Sequence, residues 1–257
     1  MISVITCTMR EEFIENVFKN FLQQNLDHKE LIIVLNKDSM NLDKWIEKAS
    51  FYPNIRVYQL HEQASLGDCL NFGILQSSYD IIAKFDDDDY YGSHYLSNAM
   101  IAFENKEVMI AGKSSYYIYF KNKKALFFLP GEVNSVTETV AGATLVFRKE
   151  IFKDVRFEKV NRAEDYFFID QSKKCGYPIY ALDSQHFVVI RHSIENHSWK
   201  ISDDELMSFG HLVTYTENFE KFLENSNFVK KRIKMKRSRM KRNRMKRSRM
   251  GTNIHSY

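Results

Sequence analysis

The first 85 residues alternate between short continuous apolar runs and segments whose apolar residues recur every three or four positions, and this order limits the fold more than any other feature. Residues 2–7, 31–35 and 81–85 are predominantly apolar runs of strand length, residues 55–60 read as a further strand, and residues 11–22, 42–49 and 66–75 between them have helical spacing. In 11–22 the stripe is Phe13, Ile14, Val17, Phe18, Phe21 and Leu22. Strands buried on both faces read as unbroken apolar runs, and strand–helix alternation predicts a mostly parallel sheet with helices on both sides. In such sheets ligands gather beyond the carboxyl ends of the strands.

The second half has a different texture. Residues 116–120 and 125–129 flank Lys121, Asn122, Lys123 and Lys124 and predict a hairpin. Residues 140–147 and 187–190 have strand character, 165–174 form a helix closed by Cys175 and Gly176, and 203–223 read as a last helix. Beyond 225 the chain becomes a repeat, Met-Lys-Arg-Ser/Asn-Arg, starting at Met235, Met240 and Met245. Residues 230–249, beginning at Lys230 and ending at Arg249, hold 13 of the 37 Lys and Arg and no acid, which leaves 24 basic against 33 acidic residues elsewhere. The expected organisation is therefore an acidic folded domain at 1–225 and a disordered, basic, low-complexity tail at 226–257. With 44% hydrophobic residues among 257, one large core is affordable.

The three cysteines, Cys7, Cys69 and Cys175, are odd in number and widely spaced, as reduced thiols are. The first ten residues lack a charged segment followed by a long apolar run, and no stretch approaches the ~20 apolar residues that span a bilayer. A cytoplasmic protein without a transmembrane segment is expected.

Asp86, Asp87, Asp88 and Asp89 follow directly on the apolar run 81–85. Four carboxylates at the end of one strand repel one another unless a cation or solvent compensates, and hard oxygen donors suit Mg²⁺ or Mn²⁺. Elsewhere an acidic run reads as a solvated loop; here it sits where ligands bind.

With Asp86, Asp88 and Asp89 in the pattern Asp-X-Asp-Asp, the run resembles the metal motif of family 2 glycosyltransferases, and the likeness covers roughly residues 1–200. It implies a GT-A fold: α/β, Rossmann-like, a mostly parallel central sheet flanked by helices, with a small β-hairpin region. In that family the first strand and its turn hold the nucleotide, which implies Thr6, Cys7, Thr8, Met9 and Arg10 here. The family's second strand usually ends in Asp-Asp-Gly-Ser, whose Asp reads the base; this chain has Asn36-Lys37-Asp38-Ser39. Gly67, Asn71 and Gly73 match the family's Gly-X-X-X-Ala-Arg-Asn-X-Gly helix, with Leu70 in place of the Arg. Glu164-Asp165, downstream of the small-residue stretch Val140-Ala141-Gly142-Ala143-Thr144, resembles the family's Glu-Asp motif, whose Asp is the general base. Several GT-A enzymes also take a metal-binding histidine from the region after a late strand, where this chain has His192 and His197, with Trp199 able to stack on a sugar.

The resemblance thus implies a metal-dependent, inverting transfer of a sugar from a UDP- or dTDP-sugar to a glycan or other hydroxyl. Asp165 with Glu164 would be catalytic. Asp86, Asp88 and His192 would hold Mn²⁺ or Mg²⁺; Thr6, Cys7, Thr8, Arg10, Asn36, Gly67, Asn71, Asp86 and Asp87 would hold the donor. Two other readings follow from the same residues. In one, a polyanion-binding protein acts through its tail, which would dock on an anionic surface or polymer. In the other, the fold is kept and activity lost, as the departures at Asn36 and Leu70 allow.

Overall fold

The computed structural model describes residues 1–192 and 201–224. Two compact units divide the chain, Met1–Glu217 and Asn218–Tyr257. His197, Trp199 and the basic tail lie outside the described residues. The elements in chain order are β1 (Ile2–Thr8), α1 (Ile14–Leu22), β2 (Lys29–Leu35), α2 (Leu42–Ser50), β3 (Ile55–Gln59), α3 (Leu66–Gln76), β4 (Ile81–Lys84), β5 (Tyr90–Tyr91), α4 (Tyr95–Ala102), β6 (Ile110–Gly112), β7 (Tyr116–Phe120), β8 (Ala125–Leu129), β9 (Ser135–Thr137), β10 (Val146–Arg148), α5 (Glu164–Lys174), β11 (Ile179–Ala181), β12 (Phe187–Arg191), α6 (Asp203–Ser208), β13 (His211–Tyr215) and α7 (Glu220–Glu224).

The first unit is built on an eight-stranded sheet in the order β3-β2-β1-β4-β10-β6-β11-β9. From β3 to β4 every pairing is parallel. β10 then enters antiparallel between β4 and β6, so β6 and β11 again run with β4, and β9 closes the edge antiparallel. The sheet is mixed with a parallel majority. Side chains alternate across it: Val4, Ile33 and Ala83 join a core with α1, α2 and α4, while Ile5, Ile32 and Ile82 join one with α3 and α5. A second sheet runs β13-β8-β7-β12-β5 and contains the expected hairpin, β7 with β8, turned through Lys124 at φ 46°. Because β4 belongs to the first sheet and β5 to the second, the aspartates form one of the connections between the two.

Two sequence expectations need correction. Residues 140–147 are not one strand: the small residues Gly142–Thr144 form a 3-10 turn, and only Val146–Arg148 pairs in the sheet. Residues 203–223 are not one helix either. α6 stops at Ser208, and Gly210 lies so close to β8 that an added Cβ would stand 2.8 Å from the Phe128 carbonyl oxygen. The following residues pair with β8 as β13.

Gly67 shows how tightly α3 is docked. Its N–H donates to the Val160 carbonyl at 3.1 Å, and a Cβ there would fall 1.7 Å from the main-chain oxygen of Glu158. Asn71, one turn on, clamps the same segment by donating to the Phe157 carbonyl (2.8 Å) and accepting from its N–H (3.0 Å). Overpacking against backbone costs about 1–3 kcal/mol. Gly67→Ala is therefore expected to lower Tm by roughly 2–12 °C for a domain of this size, read by calorimetry; an unchanged Tm would contradict the close approach.

Candidate active site

Every parallel strand of the first sheet points its carboxyl end at the same edge, and β1, β2 and β4 deliver the residues that matter. After β4 come the four aspartates, each held by a different set of partners. Asp86 accepts from the Lys84 ammonium at 2.5 Å. Asp87, 4% exposed, accepts from the Thr8 hydroxyl and is paired with Arg10. Asp88 lies 3.0 Å from the same guanidinium. Asp89 accepts from the Ile190 N–H at 2.9 Å and so fastens the loop to β12. Arg10 is itself braced over the Phe13 ring, 4.5 Å from its centroid.

The electrostatics follow from this packing. Burial raises the carboxyl of Asp87 above the ordinary range, against Arg10 and Thr8, which lower it. Burial and the neighbouring Asp87 carry Asp88 up to about 6, and burial with Asp88 and Asp86 raises Asp89 well above its ordinary range. Lys84 would lose its charge to burial alone; Asp86, Glu164 and Asp165 outweigh that and raise its pKa.

The main chain of the loop is held by a ladder of amides that sequence reasoning missed. Asn16 donates to the carbonyls of Asp87 (2.7 Å) and Asp89 (3.0 Å). Asn20, one turn later and 1% exposed, donates to the Asp89 carbonyl (2.8 Å) and accepts from the Tyr91 N–H (3.1 Å). Gln24 continues the row to Tyr91 and Gly92. The available signal was an asparagine placed inside the apolar stripe of α1, between Val17 and Phe21. Tyr91 adds its hydroxyl, which accepts from the Asp86 N–H (2.8 Å) and donates to the Ala143 carbonyl (2.7 Å).

The second acidic pair opens α5. Ala163 at φ 60° turns the chain sharply into the helix. Glu164 is 6% exposed, its carboxyl raised by burial and lowered in turn by Lys84, 3.7 Å away. Asp165 rests against Gly142, where a Cβ would come 1.6 Å from its Oδ2. The glycine is thus the space the carboxylate occupies. Lys84 lies between Asp86 and Glu164 and makes one constellation of the two acidic motifs.

The other expected residues are placed unevenly. Thr8 and Arg10 join the aspartates, while Thr6 is buried within β1 and Cys7 lies on the face toward α3. Burial, with Cys69 beside it, raises the Cys7 thiol well above its ordinary range. Asn36 pairs its N–H with the Thr8 carbonyl (2.8 Å) and its amide with the His61 carbonyl (3.0 Å), beside a cleft of about 330 Å³ lined by Met9, Glu11, Glu12, Lys37, Ser39 and Asn41. Gly67 and Asn71 are engaged with residues 157–160, away from the aspartates' partners. His192 packs edge-on against Phe13 at 5.6 Å, and burial, Lys121 and Arg10 lower its pKa. Among the described residues Asp86, Asp88 and His192 do not form a three-ligand metal cage. Hard carboxylate oxygens on one loop still fit Mg²⁺ or Mn²⁺, which take one or two protein carboxylates and complete their shell with water and phosphate.

Acid-bearing loops at the carboxyl edge of a parallel-majority sheet, with a second acidic pair facing them, fit the GT-A fold that the sequence implies. The chain belongs to glycosyl transferase family 2, whose model matches residues 3–194. A comparison with curated proteins returns no match. Among solved structures, S. aureus TarS 1-349 in complex with UDP-GlcNAc superposes with a TM-score of 0.61 at 19% identity, covering 75% of this chain and 59% of that one. The mannosyltransferase PcManGT from Pyrobaculum calidifontis, in complex with GDP-Man and Mn²⁺, superposes with a TM-score of 0.56 at 16% identity, covering 74% and 56%. The chain therefore spans about 60% of the length of these neighbours. No helix among the described residues is long and apolar enough to cross a membrane.

Asn20→Ala is expected to leave the Tyr91 N–H unsatisfied and the Asp89 carbonyl with fewer donors, at about 1–3 kcal/mol for each group orphaned. Thermal unfolding should fall by several degrees, and nucleoside diphosphate affinity, read by titration, should weaken with it; retained affinity would show that the amides do not hold the loop in its binding form.

Proposed function

We propose that the chain transfers a sugar from a nucleoside diphosphate-sugar, UDP- or dTDP-linked, to an acceptor hydroxyl with inversion at the anomeric carbon. The observation that carries this reading is the junction of the two acidic motifs, Asp86 and Glu164, through Lys84. The TarS neighbour with UDP-GlcNAc and the mannosyltransferase with GDP-Man and Mn²⁺ support a nucleotide-sugar donor and a divalent ion. Asn36 and the cleft beside it are the proposed base site, and Thr8, Arg10, Asp86 and Asp87 hold the donor's turn of chain.

Asp88, with Asp86 and His192 near it, would hold Mn²⁺ or Mg²⁺, which when bound offsets the charge that grows on the departing diphosphate. The chain's own residues do the rest. Arg10 fixes the directions of Asp87 and Asp88 by its two pairings. Asp165 takes the proton of the acceptor hydroxyl as that oxygen bonds to the anomeric carbon, and the electron pair of the breaking bond leaves with the diphosphate oxygen. Attack from the side opposite the leaving group inverts the centre.

Asp165→Asn tests the division of labour. Donor affinity should survive, because the base faces the acceptor, while turnover falls by ~10²-fold or more, the usual scale of general base catalysis. If donor binding, followed calorimetrically, collapsed along with turnover, Asp165 would belong to the donor site instead.

We further propose that the enzyme works in the cytoplasm and that the 13 positive charges of residues 230–249 dock it on an anionic surface carrying its acceptor. Successive methionines five residues apart would scatter around a helix, so the attraction is electrostatic and not amphipathic. Deleting residues 230–257 should leave turnover on a small soluble acceptor unchanged and abolish co-sedimentation with anionic vesicles at ~50 mM salt, where screening is modest. Equal sedimentation of both forms would remove the docking role.

A further inference from the structure

Lys84 is a charged side chain in a position built for an apolar one. It ends β4 on the face that Ile82 also uses, is 5% exposed, and reaches Asp86 at 2.5 Å and Glu164 at 3.7 Å. By these two legs the carboxylates stand at most about 6 Å apart. Asp86 belongs to the loop that takes the donor in the reading above. Glu164 is the first residue of the helix whose second residue is the base, Asp165.

We propose that Lys84 is a positioning residue, an ionic tether that fixes the base-bearing end of α5 against the donor loop without touching either substrate. The proposal rests on the glycosyltransferase reading of the site. Three observations lead to it. The site's two cations are divided: Arg10 serves Asp87 and Asp88, and Lys84 serves Asp86 and Glu164, so neither can stand in for the other. The cap of α5 supplies no polar anchor of its own, since its N-cap residue Ala163 offers no side-chain hydrogen bond and sits in a left-handed turn. Gly142, which receives Asp165, is in a short 3-10 turn and offers space without a polar side chain. Removing the ammonium would leave the buried Glu164 carboxylate facing that of the part-exposed Asp86 with no charge between them, and they would separate. Separation moves Asp165 away from the donor carbon, and a displacement of about 1 Å is enough to cost ~10²-fold in rate.

The test is a cycle of Lys84→Met, Glu164→Gln and the double variant in the full chain. Release of nucleoside diphosphate from UDP-glucose, UDP-GlcNAc, dTDP-glucose and GDP-mannose is followed with Mn²⁺, using whichever donor the wild type turns over. Lys84→Met should lose about 10²-fold in kcat with donor KM changed less than about threefold, the mark of lost transition-state geometry and not of lost binding. The double variant should be no slower than the slower single variant, because a tether already cut at one end has nothing more to lose. If Lys84→Met alone does not fold, the double variant is compared with Glu164→Gln, and the two should agree within about threefold on the same logic. A rise in donor KM at unchanged kcat would make Lys84 a donor-binding group, and additive losses would make it independent of Glu164; either overturns the tether. A wild-type chain that releases no nucleoside diphosphate from any of the four donors would instead remove the glycosyl-transfer reading, and the tether with it.

Discussion

Like charges brought together in a protein interior repel one another far more strongly than in water, and the loop after β4 gathers four aspartates in four consecutive positions. The rest of the site follows from how that repulsion is contained. No two of the four carboxylates are satisfied in the same way: one meets a lysine, one a hydroxyl and a guanidinium, one a nitrogen of that same guanidinium alone, and one a main-chain N–H of the neighbouring sheet. Directions are thereby fixed before any ligand arrives, and fixed charge is what a site needs if it is to stabilise a changing one without first rearranging.

The containment uses both sheets. Asp89 uses its carboxylate on β12, while Asn16 and Asn20 of α1, and Gln24 just beyond it, hold the main chain of residues 87–92. These amides also explain why a helix with an otherwise apolar inner face carries polar residues there: a loop crossing between two sheets leaves main-chain groups that neither sheet can pair, and a buried unpaired group is costly. Across the site, Gly142 and Ala163 do complementary things, one vacating the volume of a side chain and the other bending the chain, so that Asp165 starts a helix where its carboxylate has room.

Much of this was legible before the fold was known, and the reasons are physical. Strands β1, β2 and β4 announce themselves because parallel strands covered on both faces are mostly apolar, and the acidic run stands out because nothing but a site or solvent tolerates it. Glu164 and Asp165 could be matched to the family motif, yet their link to Asp86 could not be read, since Lys84 looks like an interruption of an apolar run until the sheet places it beneath α5. Asn16 and Asn20 were hidden because their partners are main-chain atoms about 70 residues away, which leave no trace in side-chain pattern. The stretches at 140–147 and 203–223 share one cause: apolar periodicity cannot distinguish a helix or strand from a turn set by a closely packed glycine, as at Gly142 against the Asp165 side chain and Gly210 against the Phe128 carbonyl.

The central claim is that the aspartate loop is a preorganised seat for a nucleoside diphosphate and a divalent ion. Calorimetric titration of the full chain with UDP and with GDP, in Mn²⁺ and again in EDTA, tests it most directly. The account predicts that at least one of the two nucleotides binds, and binds at least ~10-fold tighter with the metal, a difference of about 1.4 kcal/mol. Equal affinity in Mn²⁺ and EDTA, or no binding of either nucleotide, would contradict it.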